Sequence, residues 1–126
     1  MLENKDYCDY DTCVALKELG FDSLVDWYFK EDKSIASSLA RYRNTYIPRI
    51  SLYEAQKWLR EEKKLIVLVG FDFCPITSEI VYNWVIVVNG NTAKKSSYTY
   101  DYFEEALSEG LRTAVKILKE DETIHE

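Results

Sequence analysis

Punctuation is scarce in this chain. Four glycines and two prolines serve 126 residues, with no internal repeat and no low-complexity linker. Nothing marks a tether between two domains, and the length suits one while excluding a barrel enzyme of ~250 residues. Long hydrophobic runs are missing too. The longest, Leu65 to Gly70, has the length of a strand and falls far short of the ~20 residues that span a bilayer. The start, Met1-Leu2-Glu3-Asn4-Lys5-Asp6, has neither a basic opening nor an apolar stretch, so no secretion signal is expected. Cysteine is sparse: Cys8, Cys13 and Cys74 form an odd set without a C-x-x-C. They read as free thiols in a reducing, cytoplasmic setting.

The chemistry that these shortages exclude is broad. The lone histidine, His125, sits beside the C-terminus, where a general base or zinc ligand would be poorly held. There is no Gly-rich phosphate loop and no G-x-S-x-G nucleophile turn. Asp6, Asp9 and Asp11 lack the spacing and distal glutamate of a calcium loop, and Asp11 reads as charge at a helix start. Cys74, in the loop before Pro75, has no neighbour in sequence that would lower its pKa, and Asp72 would raise it. No enzymatic activity, catalytic residue, cofactor or metal is therefore expected.

What is present is apolar and aromatic residue. A 47% hydrophobic and 14% aromatic composition argues for a packed core. The net charge of −6 is carried by the ends: residues 1–11 hold −3, residues 120–126 hold −4, and the body between them is +1. Such ends are solvated and prone to fray.

Hydrophobic periodicity orders the elements. A first helix is expected over Thr12–Leu19, capped by Asp11 or Thr12 and stopped by Gly20, with Phe21 folding back on its last turn. Leu24–Phe29 reads as a short strand and Lys30–Lys33 as a turn. Residues 34–47 suit a helix over Ser34–Tyr42 or a second hairpin strand, and Pro48 closes them. Ser51-Leu52-Tyr53-Glu54 is a capping box opening a helix to residue 63, with Leu52, Ala55, Trp58 and Leu59 on one face. Leu65–Phe71 is apolar throughout, as in a strand covered on both faces or central in its sheet. Ile80–Val88 is a second strand, Asn89-Gly90-Asn91 a hairpin turn, and Lys94–Tyr100 a third strand, with Tyr98 and Tyr100 on one face. A last helix spans Tyr102–Lys119, capped by Asp101 and Glu104, its apolar seam running from Phe103 to Leu118 through Gly110. The expected fold is α+β: an antiparallel sheet of at least three strands with two helices on one face, preceded by a helix and a short strand or hairpin.

The order over residues 51–119, helix–strand–strand–strand–helix, resembles the double-stranded-RNA-binding domain in topology, over a little more than half of the chain. That resemblance implies both helices on one face of the sheet. It does not imply RNA binding. The Gly-Pro-x-His loop of that family is replaced by Asp72-Phe73-Cys74-Pro75-Ile76-Thr77-Ser78. Its helix-starting lysine cluster is replaced by Asp101-Tyr102-Phe103-Glu104-Glu105, whose acids repel phosphate. In wording, Leu52-Tyr53-Glu54-Ala55-Gln56-Lys57-Trp58-Leu59-Arg60 and Tyr102-Phe103-Glu104-Glu105-Ala106-Leu107 with Gly110-Leu111 resemble a set of short proteins encoded by gut anaerobes and their phages. This likeness implies an origin and a cytoplasmic setting and carries no activity with it.

Two features suit binding. Ten tyrosines offer broad contact area at low entropic cost, and Tyr98, Tyr100 and Tyr102 recur at period two. Residues 41–64 carry a net +4, with Tyr42, Tyr46 and Tyr53 interleaved among Arg41, Arg43, Arg49 and four lysines and arginines further on. The expected function is a protein-interaction module that binds a protein partner or a second copy of itself. Tyr98, Tyr100 and Tyr102 would be its contacts, with Arg41, Arg43 and Arg49 behind them. The alternative is a nucleic-acid-associated accessory protein using the 41–64 stretch.

Overall fold

The clearest local signals organise the fold. In the computed structural model, which describes residues 2–37 and 45–125, with side chains to residue 120, the Ser51 side chain accepts from the Glu54 N–H at 3.1 Å. It thereby opens helix α2, Leu52–Glu62. Lys63 ends the helix, and Lys64, at a positive φ of 56°, turns the chain into strand β4, Leu65–Phe73. Strand β5, Ile80–Val88, returns antiparallel along the whole of β4, with Leu65 opposite Val88 and Phe73 opposite Ile80. Asn89 and Gly90, both at positive φ, make the two-residue turn into β6, Asn91–Lys95. Helix α3, Phe103–His125, then crosses β4 and β5 beside α2.

Alternation along the strands explains the layer. Leu65, Val67, Trp84 and Ile86 face one side and are buried beneath Leu52, Ala55 and Leu59 of α2 and Leu107, Leu111 and Ala114 of α3. Gly110 lets α3 approach closely. A Cβ there would lie 2.7 Å from Val67 Cγ1 and 3.1 Å from Trp84 Cβ. The opposite face carries no helix among the described residues, and Leu68 is half exposed on it. Leu65–Phe71 is thus neither central nor covered on both faces. β4 is the edge of a sheet ordered β4-β5-β6, and its apolar run serves one covered and one open face.

The first fifty residues add a second layer. Helix α1, Tyr10–Glu18, starts earlier than its apolar spacing suggests, because Asp9 rather than Asp11 or Thr12 is its cap and accepts from the Thr12 N–H at 2.7 Å. Gly20, at φ 113°, ends it, and Phe21 N–H bonds back to Leu16 C=O and packs edge-to-face on Trp58. Strands β1, Trp27–Phe29, β2, Ile35–Ser37, and β3, Ile47–Pro48, form a small antiparallel sheet ordered β2-β1-β3. The strand alternative therefore holds for residues 35–37, where Asp32 caps Ser34 and Lys33 takes a positive φ. β1 is shorter than Leu24–Phe29, with Leu24 in the exposed approach to it.

Two further expectations need correction. The third strand of the larger sheet does not run through Lys94–Tyr100. The ladder shifts register at Ile86/Val87 and β6 ends at Lys95; Ser96 N–H still reaches Trp84 C=O, and after a bend Tyr100 rejoins, exchanging both backbone hydrogen bonds with Tyr82. Tyr98 lies in the intervening bend and is 76% exposed. α3 begins one residue later than expected, the Tyr102 carbonyl accepting from Ala106, and continues past Lys119 because no glycine or proline stops it.

One hydrophobic cluster spans all three helices and both sheets. A seam ties the N-terminal segment and α1 to the chain entering α2: Cys8 N–H donates to Ile50 C=O at 2.9 Å, Ile50 N–H donates to Cys13 Sγ at 3.4 Å, and Tyr7 bridges Ser51. Both thiols are buried, and the Cys8 thiol is pushed up by its hydrogen bond to Cys13 and by burial. They act as small apolar packing groups.

Candidate interaction groove

Where the two layers meet, the chain leaves an open groove of about 530 Å³. Three separate segments build it. The N-terminal segment supplies Tyr7 and Cys8, the β1–β2 hairpin supplies Phe29 and Ile35, and the run into α3 supplies Tyr100 and Tyr102. Arg49, just after β3, closes one side.

Each side chain is held for a local reason. Arg49 is fixed through its backbone N–H, which donates to Trp27 C=O at 2.9 Å. Its guanidinium lies over the Tyr7 ring at 3.9 Å, and Nη2 donates to Asn4 Oδ1 at 2.6 Å. Tyr100 is half-buried, its backbone tied to Tyr82 and its hydroxyl accepting from Trp84 Nε1 at 3.3 Å. Tyr102, immediately before α3, is 62% exposed, and Ile35 is 47% exposed.

The polar rim is mixed. Arg112 of α3 donates through Nε and Nη2 to Asp9 Oδ2, at 3.1 and 2.6 Å, and through Nη1 to Glu109. Burial opposes the charge on Asp9, but hydrogen bonds from Thr12 and the Arg112 guanidinium outweigh it and hold that carboxyl below its usual range. Lys5 Nζ lies 3.9 Å from Glu104 Oε1. Asp9 thus caps α1 and anchors α3, and Asp6 accepts from the Glu3 N–H at 2.9 Å.

Of the expected contacts, Tyr100, Tyr102 and Arg49 come together here. Tyr98 does not line the groove, and Arg41 and Arg43, with Tyr42, lie outside the described residues. The lysines that follow α2 stand elsewhere. Lys63 Nζ sits 5.6 Å over the Trp58 ring, and Lys64 Nζ donates to Glu61 C=O. Sequence reasoning missed Tyr7, Phe29 and Ile35, and it missed the Asp9–Arg112 pair. The one local signal for the pair was Asp9 three residues before Thr12, the spacing of a cap.

Cys74 also departs from its expectation. Its thiol is lowered, because the Thr77 hydroxyl and the backbone N–H groups of Thr77 and Ile76 favour the thiolate, with Glu79 opposing more weakly. It sits in the β4–β5 connection, far in sequence from any groove residue.

No family model matches the chain, and no similar protein emerged among either curated proteins or solved structures. Among the described residues, no helix is long and apolar enough to cross a membrane.

Proposed function

We propose that the chain is a small cytoplasmic protein-interaction module of phage origin that works by occupying a partner's surface. The groove at the seam of the two layers is its contact face. One observation carries this reading: Tyr100, Tyr102 and Arg49, chosen for their chemistry alone, line one open concavity together with Phe29 and Ile35. Aromatic and arginine side chains around a partly apolar depression are the composition of interface hot spots. Tyr102 is the anchor, because its ring is exposed while its carbonyl is held by the Ala106 N–H at the start of α3. Arg49, held over the Tyr7 ring and by Asn4, is pre-positioned and loses little entropy on binding.

The test is affinity capture from the native host with the full chain and with Tyr102→Ala and Arg49→Ala variants. The expected outcome is one protein recovered in stoichiometric amount by the parent chain. Each variant should weaken its capture about tenfold, as the loss of more than ~1 kcal/mol at a hot spot requires. Equal capture by parent and variants contradicts the groove as the contact face. Recovery of nucleic acid that is lost as salt rises supports the accessory-protein reading in its place.

A further inference from the structure

Away from the groove, the outer edge of β4 pairs with no strand among the described residues, and its pattern specifies what can cover it. Tyr82 exchanges backbone bonds with Tyr100, and Trp84 C=O accepts from Ser96, so the even-numbered residues of β5 direct their N–H and C=O groups away from β4. In an antiparallel ladder the odd-numbered residues of β5 must then bond to β4. By the register of the pair, their partners are Ile66, Leu68, Gly70 and Asp72. Leu65, Val67, Val69, Phe71 and Phe73 consequently turn their backbone groups outward. The Val67 carbonyl confirms this direction, since Gln56 Nε2 of α2 caps it from outside at 2.7 Å. The open length is therefore Val69 to Phe73. Over the same length the strand outruns the helices: Phe71 is 66% exposed and Phe73 56%, their rings in mutual edge-to-face contact at 6.2 Å.

We propose that this edge pairs antiparallel with the same edge of a second copy, about a two-fold axis at Phe71. The register follows by elimination. Only odd-numbered residues bond outward, and the axis that keeps the most reciprocal couples is favoured: an axis at Gly70 leaves just the Val69/Phe71 couples, and an axis at Asp72 leaves just the Phe71/Phe73 couples and opposes two Asp72 carboxylates. An axis at Val69 would require the Val67 carbonyl that Gln56 occupies, and an axis at Phe73 would set Phe71 against Pro75, which has no N–H. With the axis at Phe71, reciprocal N–H···O=C pairs form at Phe71/Phe71 and at each Val69/Phe73 couple. Asp72 releases the Phe73 N–H that it now accepts at 2.8 Å, and it lies opposite Gly70 rather than another acid.

Charge selects this occupant as well. Between Lys64 and Lys94 the only charged residues are Asp72 and Glu79, both on the projecting hairpin. Helical spacing places Arg60 one turn on from edge-facing Gln56. The two-fold lays each acidic hairpin along the basic flank of the other copy's α2. The four phenylalanines then share one cluster, and the two three-stranded sheets become one of six strands.

Sedimentation equilibrium of the full chain tests this, with circular dichroism following the fold of each variant. The parent chain should dimerise reversibly. Phe71→Lys places two ammonium groups across the axis and should raise the dimer dissociation constant at least about tenfold with the fold intact. Phe71→Cys in a Cys74→Ser chain should form a disulfide-linked dimer with oxidised glutathione, since facing residues in a hydrogen-bonded pair stand ~5.5 Å apart between Cα atoms. A parent chain that stays monomeric overturns the proposal. So does a dimer indifferent to Phe71→Lys, or a failure of Phe71→Cys to cross-link.

Discussion

The two sheets of this protein are built from the same number of strands and owe their order to different forces. In the sheet of β4–β6, two nine-residue strands pair over their full length, and two helices bury one face. In the sheet of β1–β3, the strands are two or three residues long, and Tyr28 is the one strand side chain buried besides Pro48. Polar ties hold that layer in place: Asp9 to Arg112, Cys8 to Ile50, and Lys17 Nζ to Tyr46 C=O at 2.9 Å. Apolar burial scales with area, whereas an exposed ion pair contributes little. The comparison teaches that the groove sits where a well-buried platform meets a lightly anchored one. The first supplies rigidity and the second supplies shape.

Breaking the platform should have the largest effect. Leu111 is fully buried, and Leu111→Ala should cost about 2–5 kcal/mol in a urea titration, lowering the stability of both layers together. Gly110→Ala sharpens the same point. The added methyl meets Val67 and Trp84 inside contact distance, and the strain should exceed the ~1 kcal/mol gained in helix propensity. Net destabilisation of about 1–2 kcal/mol is expected, with α3 displaced from β4 in a crystal structure.

Breaking a tie should be milder and local. Asp9→Ala removes a helix cap and a half-exposed ion pair, together about 1–2 kcal/mol. Amide exchange should quicken in α1 and the N-terminal segment and change little in β5. The folded pKa of Asp9 is lowered, so its contribution is complete above the unfolded value of ~3.9 and is lost as pH falls through the folded value. The stability gap between parent and Asp9→Ala should therefore be full at about pH 6 and shrink on acidification to about pH 3. Smallest of all, Tyr98→Ala should shift stability by no more than ~0.5 kcal/mol, because its ring is exposed and outside the groove.

Legibility in the sequence follows the same division. The bounds of β5 and the Ser51 cap of α2 were readable because strand alternation, capping and the Asn89-Gly90 turn are all local. The close approach at Gly110 was readable from its place in the seam. The apolar run of β4 was misread because continuity of apolar residues does not say what covers them. Tyr98 was misplaced because a register shift at Ile86/Val87 breaks the alternation that sets it beside Tyr100. In the groove, Tyr100, Tyr102 and Arg49 were legible as chemistry, while their neighbours were not. Asp9 and Arg112 are 103 positions apart, and no local pattern pairs them.

Hydrogen exchange on the captured complex, compared with the free chain, tests the central claim most directly. The account predicts new protection at β1–β2 and over the amides from Tyr100 to Glu109, with β5 unchanged. Protection confined to the basic side of α2, or none at the groove, would contradict it.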